Sequence, residues 1–140
     1  MHQLPRGYPI HILLARGIKL VTKGGQVWVV DDEASIRWVL ERALIDAGLS
    51  VRQFGNADEA MEVVDHEQPN LVMIDIKMPG RSSLELLETL GVRFPEIPVI
   101  VMTAYTDLDN AVSAYRSDAF EYLPKPFDLD EATELVKRAL

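Results

Sequence analysis

Short apolar runs alternate with amphipathic segments along most of the chain, and this alternation limits the fold more than any other feature. Apolar residues recur at helical spacing in five segments, each following one of the runs. Strands that are apolar along most of their length and alternate with helices form parallel sheets covered on both faces. The sequence therefore predicts an α/β domain of five parallel strands and five helices. The five runs expected to form strands are Val27–Val30, Val51–Phe54, Leu71–Ile74, Val99–Met102 and Phe120–Leu123.

Several residues mark the expected ends of the helices. Gly48 follows the first helical segment, and glycine at that position commonly ends a helix. Asn56, Thr106 and Asp128 precede the second, fourth and fifth helical segments and can cap them. Glu131 follows Asp128 at the spacing of a capping box. These boundary signals support the helices independently of the apolar spacing.

The chain of 140 residues has the size of one ordinary domain, and we place that domain at residues 25–140. Residues 1–24 fit the alternation poorly. We interpret them as an N-terminal extension of unknown role, either flexible, an additional element or non-native. The chain contains no cysteine, which excludes disulfides and thiolate metal sites and suits a cytoplasmic protein. It also lacks the ~18 consecutive apolar residues of a membrane span, so we expect no membrane partner.

Charge is distributed unevenly along the sequence. The net charge is −8, and residues 1–24 contain four basic side chains and no acidic ones. The predicted domain therefore contains 10 basic and 22 acidic side chains, a net charge of −12. So acidic a surface disfavours direct contact with nucleic acid and favours a site for cations.

Polar side chains suited to cation and phosphate chemistry follow four of the predicted strands. Asp31 and Asp32 follow the first strand, Asp75 the third, Thr103 the fourth and Lys125 the fifth. The carboxyl ends of parallel strands line the ligand crevice of an open α/β sheet, above all where the strand order reverses. If the order is 2-1-3-4-5, one of the known doubly wound orders, the three carboxylates converge.

Three neighbouring carboxylates repel one another, and a hard divalent cation such as Mg²⁺ is the usual remedy. A carboxylate can also be a nucleophile toward phosphorus, giving an aspartyl-phosphate. The cation and Lys125 would then neutralise the transferring group, and Thr103 would offer a hydroxyl to a phosphate oxygen. Each residue taken singly is more often a turn, strand-end or surface residue. Their joint occurrence at strand ends predicts a cation-assisted phosphoryl site.

Four motifs make the chain resemble a response-regulator receiver domain over residues 26–140: Val29–Asp32, Asp75–Gly80, Met102–Ala104 and Tyr122–Phe127. Three further segments are closer still to the NtrC family of nitrogen-regulatory, sigma-54-dependent response regulators: Trp28–Asp32, Ser35–Leu44 and Ala111–Tyr115. The resemblance implies the flavodoxin-like (CheY-like) three-layer sandwich, with sheet order 2-1-3-4-5 and five helices.

The resemblance also implies roles for individual residues. Asp75 would be the phosphorylation site. Asp31, Asp32, Asp75 and the backbone carbonyl of Lys77 would hold the cofactor Mg²⁺. The receiver would be a phosphoryl acceptor rather than an enzyme, apart from catalysing its own phosphorylation and dephosphorylation.

Other implied roles concern the response to phosphorylation. Thr103 would follow the phosphoryl group, and Tyr122 would change its rotamer with it. Lys125 would contact the phosphate, and its bond to Pro126 would be cis. The changed face would comprise the helix predicted after Thr106, the fifth strand and the last helix, a candidate homodimer interface.

The partners implied by the resemblance belong to a two-component system. A sensor histidine kinase of the NtrB type would phosphorylate the domain in the cytoplasm. The output would be a transcription activator whose ATPase and DNA-binding domains are absent from this sequence. The chain would accordingly be an excised domain, a truncated product or a stand-alone receiver.

Two other functions fit parts of the sequence. A haloacid-dehalogenase-type phosphatase also uses an aspartate and Mg²⁺, but its nucleophile lies in an Asp-x-Asp motif after the first strand. Here Asp31-Asp32-Glu33 occupies that place. A stand-alone or phosphorylation-independent interaction domain gains some support from residues 81–83, which read Arg-Ser-Ser where receivers usually have Met-Asp-Gly.

Overall fold

The computed structural model describes residues 25–76, 82–104 and 120–140, with only the backbone of Ser82 and Phe120. The N-terminal extension, the backbone carbonyl of Lys77 and the helix predicted after Thr106 lie outside these described residues. No described helix has the length and apolar character needed to cross a membrane.

Five parallel strands form one sheet in the order β2-β1-β3-β4-β5, which confirms the predicted order. Their bounds are β1 Gln26–Val30, β2 Ser50–Phe54, β3 Leu71–Asp75, β4 Val99–Ala104 and β5 Phe120–Lys125. Each strand is longer than its apolar run predicts, and β3, β4 and β5 extend beyond it at their carboxyl ends. Asp75 pairs with Met102, and Lys125 pairs with Ala104, so both polar residues belong to the ladder itself. Their backbone positions are therefore fixed by the sheet.

Four helices are described: α1 Ala34–Asp46, α2 Ala57–Val64, α3 Ser82–Arg93 and α4 Leu129–Ala139. The side chain of Asn56 accepts a hydrogen bond from the backbone N–H of Glu59 at 2.9 Å, as predicted for a cap. Asp128 caps α4 by accepting from the N–H of Asp130 at 2.7 Å. Gly48, with a φ of +90°, turns the chain after α1, a conformation that favours glycine.

Alternate residues of the strands enter two separate cores, because successive side chains point to opposite faces of a sheet. One core packs Trp28, Val72 and their neighbours against α2 and α3. The other packs Val29, Met73 and their neighbours against α1 and α4. The molecule is therefore the predicted three-layer sandwich, and its polar residues at the strand ends lie between the two cores.

Candidate functional site

Four carboxylates meet at the carboxyl ends of β1 and β3, the neighbouring strands where the order reverses. One oxygen from each of Asp31, Asp32, Glu33 and Asp75 lies within 4.8 Å of the others. Asp31 is fully buried and Asp75 is 5% exposed, whereas Asp32 and Glu33 are exposed. The site thus has a buried floor and an open acidic rim. Glu33 was not predicted to belong to it.

Lys125 extends from the end of β5 into this group of carboxylates. Its Nζ lies 2.7 Å from Oδ2 of Asp31 and 2.9 Å from Oδ2 of Asp75. A third carboxylate, that of Glu33, lies 3.6 Å away. The peptide bond from Lys125 to Pro126 is cis, as the resemblance implies. Lys125 therefore joins the two buried carboxylates of the site.

The polar atoms of Asp31 are held from several directions. Its backbone N–H donates to the carbonyl of Phe54 at 3.1 Å, and its Oδ1 accepts from the N–H of Glu33 at 2.9 Å. Its own carbonyl accepts from Nη1 of Arg37 at 2.6 Å. The Asp31 carboxylate consequently has a fixed direction within the site.

Burial raises the pKa of the Asp31 carboxyl above its ordinary value, because the charged form loses hydration. Hydrogen bonds from Lys125 and from the Glu33 N–H favour the carboxylate but do not reverse the rise. Burial lowers the pKa of Lys125, but the hydrogen bonds and charges of Asp31 and Asp75 outweigh it, so this pKa is raised. The Lys125 ammonium contacts three of the four clustered carboxylates, so negative charge exceeds positive charge at the site.

Thr103 supplies a buried hydroxyl at the end of β4. Its Oγ1 has no hydrogen-bond partner among the described residues, and the residue is fully buried. An unsatisfied buried hydroxyl costs about 1–3 kcal/mol, which is tolerated where a partner binds during function. Tyr122, half-buried on β5, pairs with Val101 two residues before Thr103 and packs against the core of α2 and α3.

The donor set at this site fits Mg²⁺. Carboxylate oxygens are the ligands of hard cations, and Mg²⁺ normally binds one or two of them directly and keeps several waters. The exposure of Asp32 and Glu33 leaves room for water and for an incoming phosphate. The excess of carboxylates over described cations is the charge imbalance that a divalent ion relieves.

A serine within the unusual Arg-Ser-Ser segment also reaches the site. Ser83 is 2% exposed, and its Oγ donates a long hydrogen bond of 3.4 Å to the carbonyl of Asp75. This segment departs from the usual receiver sequence, and the sequence does not predict its contact with Asp75. Nor does it predict the bond from Arg37 to Asp31. A polar residue at a buried position of a helix was the available signal for Ser83.

The fold and the acidic strand-end site are typical of the receiver class. Consistent with that class, the family model of the response regulator receiver domain matches residues 27–137. The chain therefore belongs to the response regulator receiver domain family, as the resemblance predicted.

Among curated proteins, the chain is 56% identical over 116 residues to the DNA-binding transcriptional regulator NtrC of Escherichia coli (strain K12). The match covers 83% of this chain and 25% of that protein. Response regulator protein PilR of Pseudomonas aeruginosa (strain PAO1) is 40% identical over 112 residues, which cover 80% of this chain and 25% of PilR. The chain thus spans about a quarter of the length of these relatives.

Solved structures agree with this family. The apo receiver domain of nitrogen regulatory protein C (NtrC) matches with a TM-score of 0.76 at 55% identity, covering 84% of this chain and 94% of that one. The receiver domain of NtrX from Brucella abortus matches with a TM-score of 0.74 at 35% identity, covering 81% and 97%. The protein is an NtrC-like receiver domain, and the phosphatase alternative is set aside.

Proposed function

We propose that Asp75 accepts a phosphoryl group from a sensor histidine kinase while Asp31, Asp32 and Asp75, with the carbonyl of Lys77, hold Mg²⁺. The observation that carries this proposal is the convergence of four carboxylate oxygens within 4.8 Å, two of them bonded to one ammonium. Such an arrangement is costly for folding alone, because removing carboxylates from water is only partly offset by one cation. Binding of a divalent ion and a phosphoryl group would account for this arrangement, because both interact with clustered carboxylates and their ammonium partner.

The transfer is a substitution at phosphorus. A carboxylate oxygen of Asp75 forms a bond to phosphorus as the bond from phosphorus to the donor nitrogen breaks, and the electron pair leaves with the donor. Lys125, 2.9 Å from Asp75, turns from the carboxylate to the phosphoryl oxygens and neutralises them. The Thr103 hydroxyl donates to one of these oxygens and gains the partner that it lacks. When bound, Mg²⁺ supplies further charge neutralisation on the phosphoryl oxygens.

The consequence of phosphorylation is a shift between two states of the same domain. Movement of Thr103 toward the phosphoryl group frees space toward β5, and Tyr122 changes its rotamer in response. The altered face of β5 and α4 then binds an output domain or a second protomer. A bias of a few kcal/mol is sufficient for such a shift. The domain passes on a signal and turns over no separate substrate.

The names of the relatives support the setting. We propose a two-component system in the cytoplasm, with an NtrB-like kinase and a transcription activator of nitrogen-regulated genes as output. The receiver occupies residues 25–140, and residues 1–24 are dispensable for it. DNA contact would fall to an output domain, since the acidic receiver suits a cation better than a nucleic acid.

The proposal is tested by incubating the protein with acetyl phosphate and MgCl₂ and measuring its intact mass. We expect the parent protein to gain one phosphoryl group. We expect no gain when Mg²⁺ is chelated before the reaction, and none in the Asp75→Asn variant. Asp65→Asn is the matched control, because Asp65 is exposed and pairs with Arg93 far from the site. Equal phosphorylation of the Asp75→Asn variant and the parent would refute the assignment of the acceptor.

A further inference from the structure

An arginine on the first turns of α1 contacts the candidate cation site from outside. Arg37 is half-buried, and its Nη1 donates to the backbone carbonyl of Asp31 at 2.6 Å. This carbonyl belongs to the residue whose carboxylate forms the buried floor of the site. Arg37 itself touches none of the carboxylates in the hydrogen bonds described for it.

The guanidinium of Arg37 is held in place by two further residues. Its Nε donates to Oε1 of Gln53 on β2 at 3.1 Å. The amide of Gln53 in turn donates to the carboxylate of Glu41, one turn further along α1. Gly55 lies beside the group, where a Cβ would make an ordinary van der Waals contact of 3.5 Å with Nη1 of Arg37. The planar group is thus oriented by Gln53 at Nε and by the Asp31 carbonyl at Nη1.

We propose that Arg37 is a positioning residue of the cation site, a role that rests on the proposed function. The N–H of Asp31 is fixed by Phe54, and its carbonyl is fixed by Arg37, so the peptide planes on both sides of this residue have set directions. Those planes direct the Asp31 carboxylate and the path of the chain into Asp32. Loss of Arg37 frees one of them, and the oxygens no longer meet at one point. Supporting hydrogen bonds of this kind commonly change metal affinity 10–100-fold.

Positioning and simple charge predict opposite results. Arg37 is a cation near an acidic site, so removing its charge alone would strengthen Mg²⁺ binding. Removing its hydrogen bonds would weaken Mg²⁺ binding through disorder at Asp31 and Asp32. Arg37→Met removes both, whereas Arg37→Lys keeps the charge but loses the planar fork that contacts Asp31 and Gln53 together. The pair of variants therefore separates the two effects.

The experiment titrates the full chain with MgCl₂ and follows amide NMR shifts to obtain the dissociation constant. We expect Arg37→Met to raise this constant roughly tenfold. Arg37→Lys should raise it by about threefold or more, since part of the fork is lost. Arg52→Met is the matched control, because Arg52 lies on the same strand as Gln53 and pairs with exposed Glu67. Its dissociation constant should stay within about twofold of the parent, as for a surface substitution.

Hydrogen exchange in the metal-free protein gives a second readout. The N–H of Glu33, bonded to Oδ1 of Asp31, should exchange faster in the Arg37 variants relative to core amides of β3. A general loss of stability would accelerate core amides too, and Arg37→Lys keeps the test available if Arg37→Met does not fold.

Two outcomes overturn the proposal: tighter Mg²⁺ binding by Arg37→Met, or unchanged binding by both Arg37 variants in a parent that binds Mg²⁺. A parent that neither binds Mg²⁺ nor gains a phosphoryl group would instead overturn the proposed function, and the role of Arg37 with it. Unchanged Arg37 variants in a phosphorylatable parent would leave the proposed function intact.

Discussion

At the scale of single residues, Lys125 decides whether the acidic site can exist in the folded protein. It bonds Asp31 and Asp75, both largely removed from water, and its own side chain is 14% exposed. Removing one partner of a buried ion pair lowers the free energy of unfolding by more than the pair itself contributes to it, because an uncompensated charge remains buried. Here two carboxylates would lose their shared cation.

Replacing Lys125 with methionine should therefore lower the free energy of unfolding by about 3 kcal/mol, measured by urea denaturation without Mg²⁺. Lys137→Met is the control. Lys137 is exposed and lies 3.9 Å from Glu134 on the same helix, so we expect a change below about 0.5 kcal/mol. Equal losses in the two variants would show that Lys125 acts only as a surface residue.

For Thr103 we expect the opposite change in the free energy of unfolding. Its buried Oγ1 has no partner among the described residues, so Thr103→Val should raise the free energy of unfolding by about 1 kcal/mol. The same variant should be phosphorylated more slowly by acetyl phosphate. Thr133→Val provides the comparison, because the Thr133 hydroxyl donates to the carbonyl of Leu129 at 2.8 Å. Removing this hydrogen bond should lower the free energy of unfolding. Destabilisation by both substitutions would mean that Thr103 has a partner already.

At the scale of elements, the ends of the strands set the spacing of the site. Val30 pairs with Ile74, which brings the next residues, Asp31 and Asp75, side by side. The helix caps fix where each connection turns back toward the sheet. Asn56, directly after the loop that follows β2, is such a cap.

Removing this cap should weaken α2 locally. Asn56→Ala loses the hydrogen bond to the N–H of Glu59, and we expect a loss of about 1 kcal/mol in urea denaturation. Glu62→Ala, an exposed change on the same helix, should remain within about 0.5 kcal/mol of the parent. A loss of similar size from Glu62→Ala would indicate general sensitivity of α2 rather than a capping effect.

The sequence predicts the strands well because their apolar residues are mostly contiguous, whereas those of the helices recur every three or four positions. It predicts the meeting of Asp31, Asp75 and Lys125 because the ends of parallel strands share one edge of the sheet. It does not predict the contacts of Arg37 and Ser83. Those depend on helix rotation and rotamers, which no short pattern encodes. The order of the strands came from the resemblance, since alternation alone permits several orders.

At the scale of the whole molecule, the two cores are built from residues between Val27 and Val136. The sheet, the described helices and the acidic site all lie within residues 26–139. Stability should therefore reside in residues 25–140.

Deleting residues 1–24 should leave the melting temperature and the phosphoryl gain from acetyl phosphate unchanged. The physical reason is that the described members of both cores all lie outside the deleted residues. Thermal unfolding by circular dichroism and intact mass together check this expectation. A melting temperature lowered by about 4 °C or more, or a lost phosphoryl gain, would give the extension a structural or functional role.

The reach of Lys125 has one further consequence. β5 is an edge strand of the described sheet, and β4 separates it from β3. Its last residue is nevertheless bonded to Asp31, directly after β1, and to Asp75 at the end of β3. One side chain thus links the edge of the sheet to its centre. When the charge at the centre changes, the attraction between Lys125 and the carboxylates changes too. A change of charge at Asp75 can therefore alter the position of the end of β5 through one side chain.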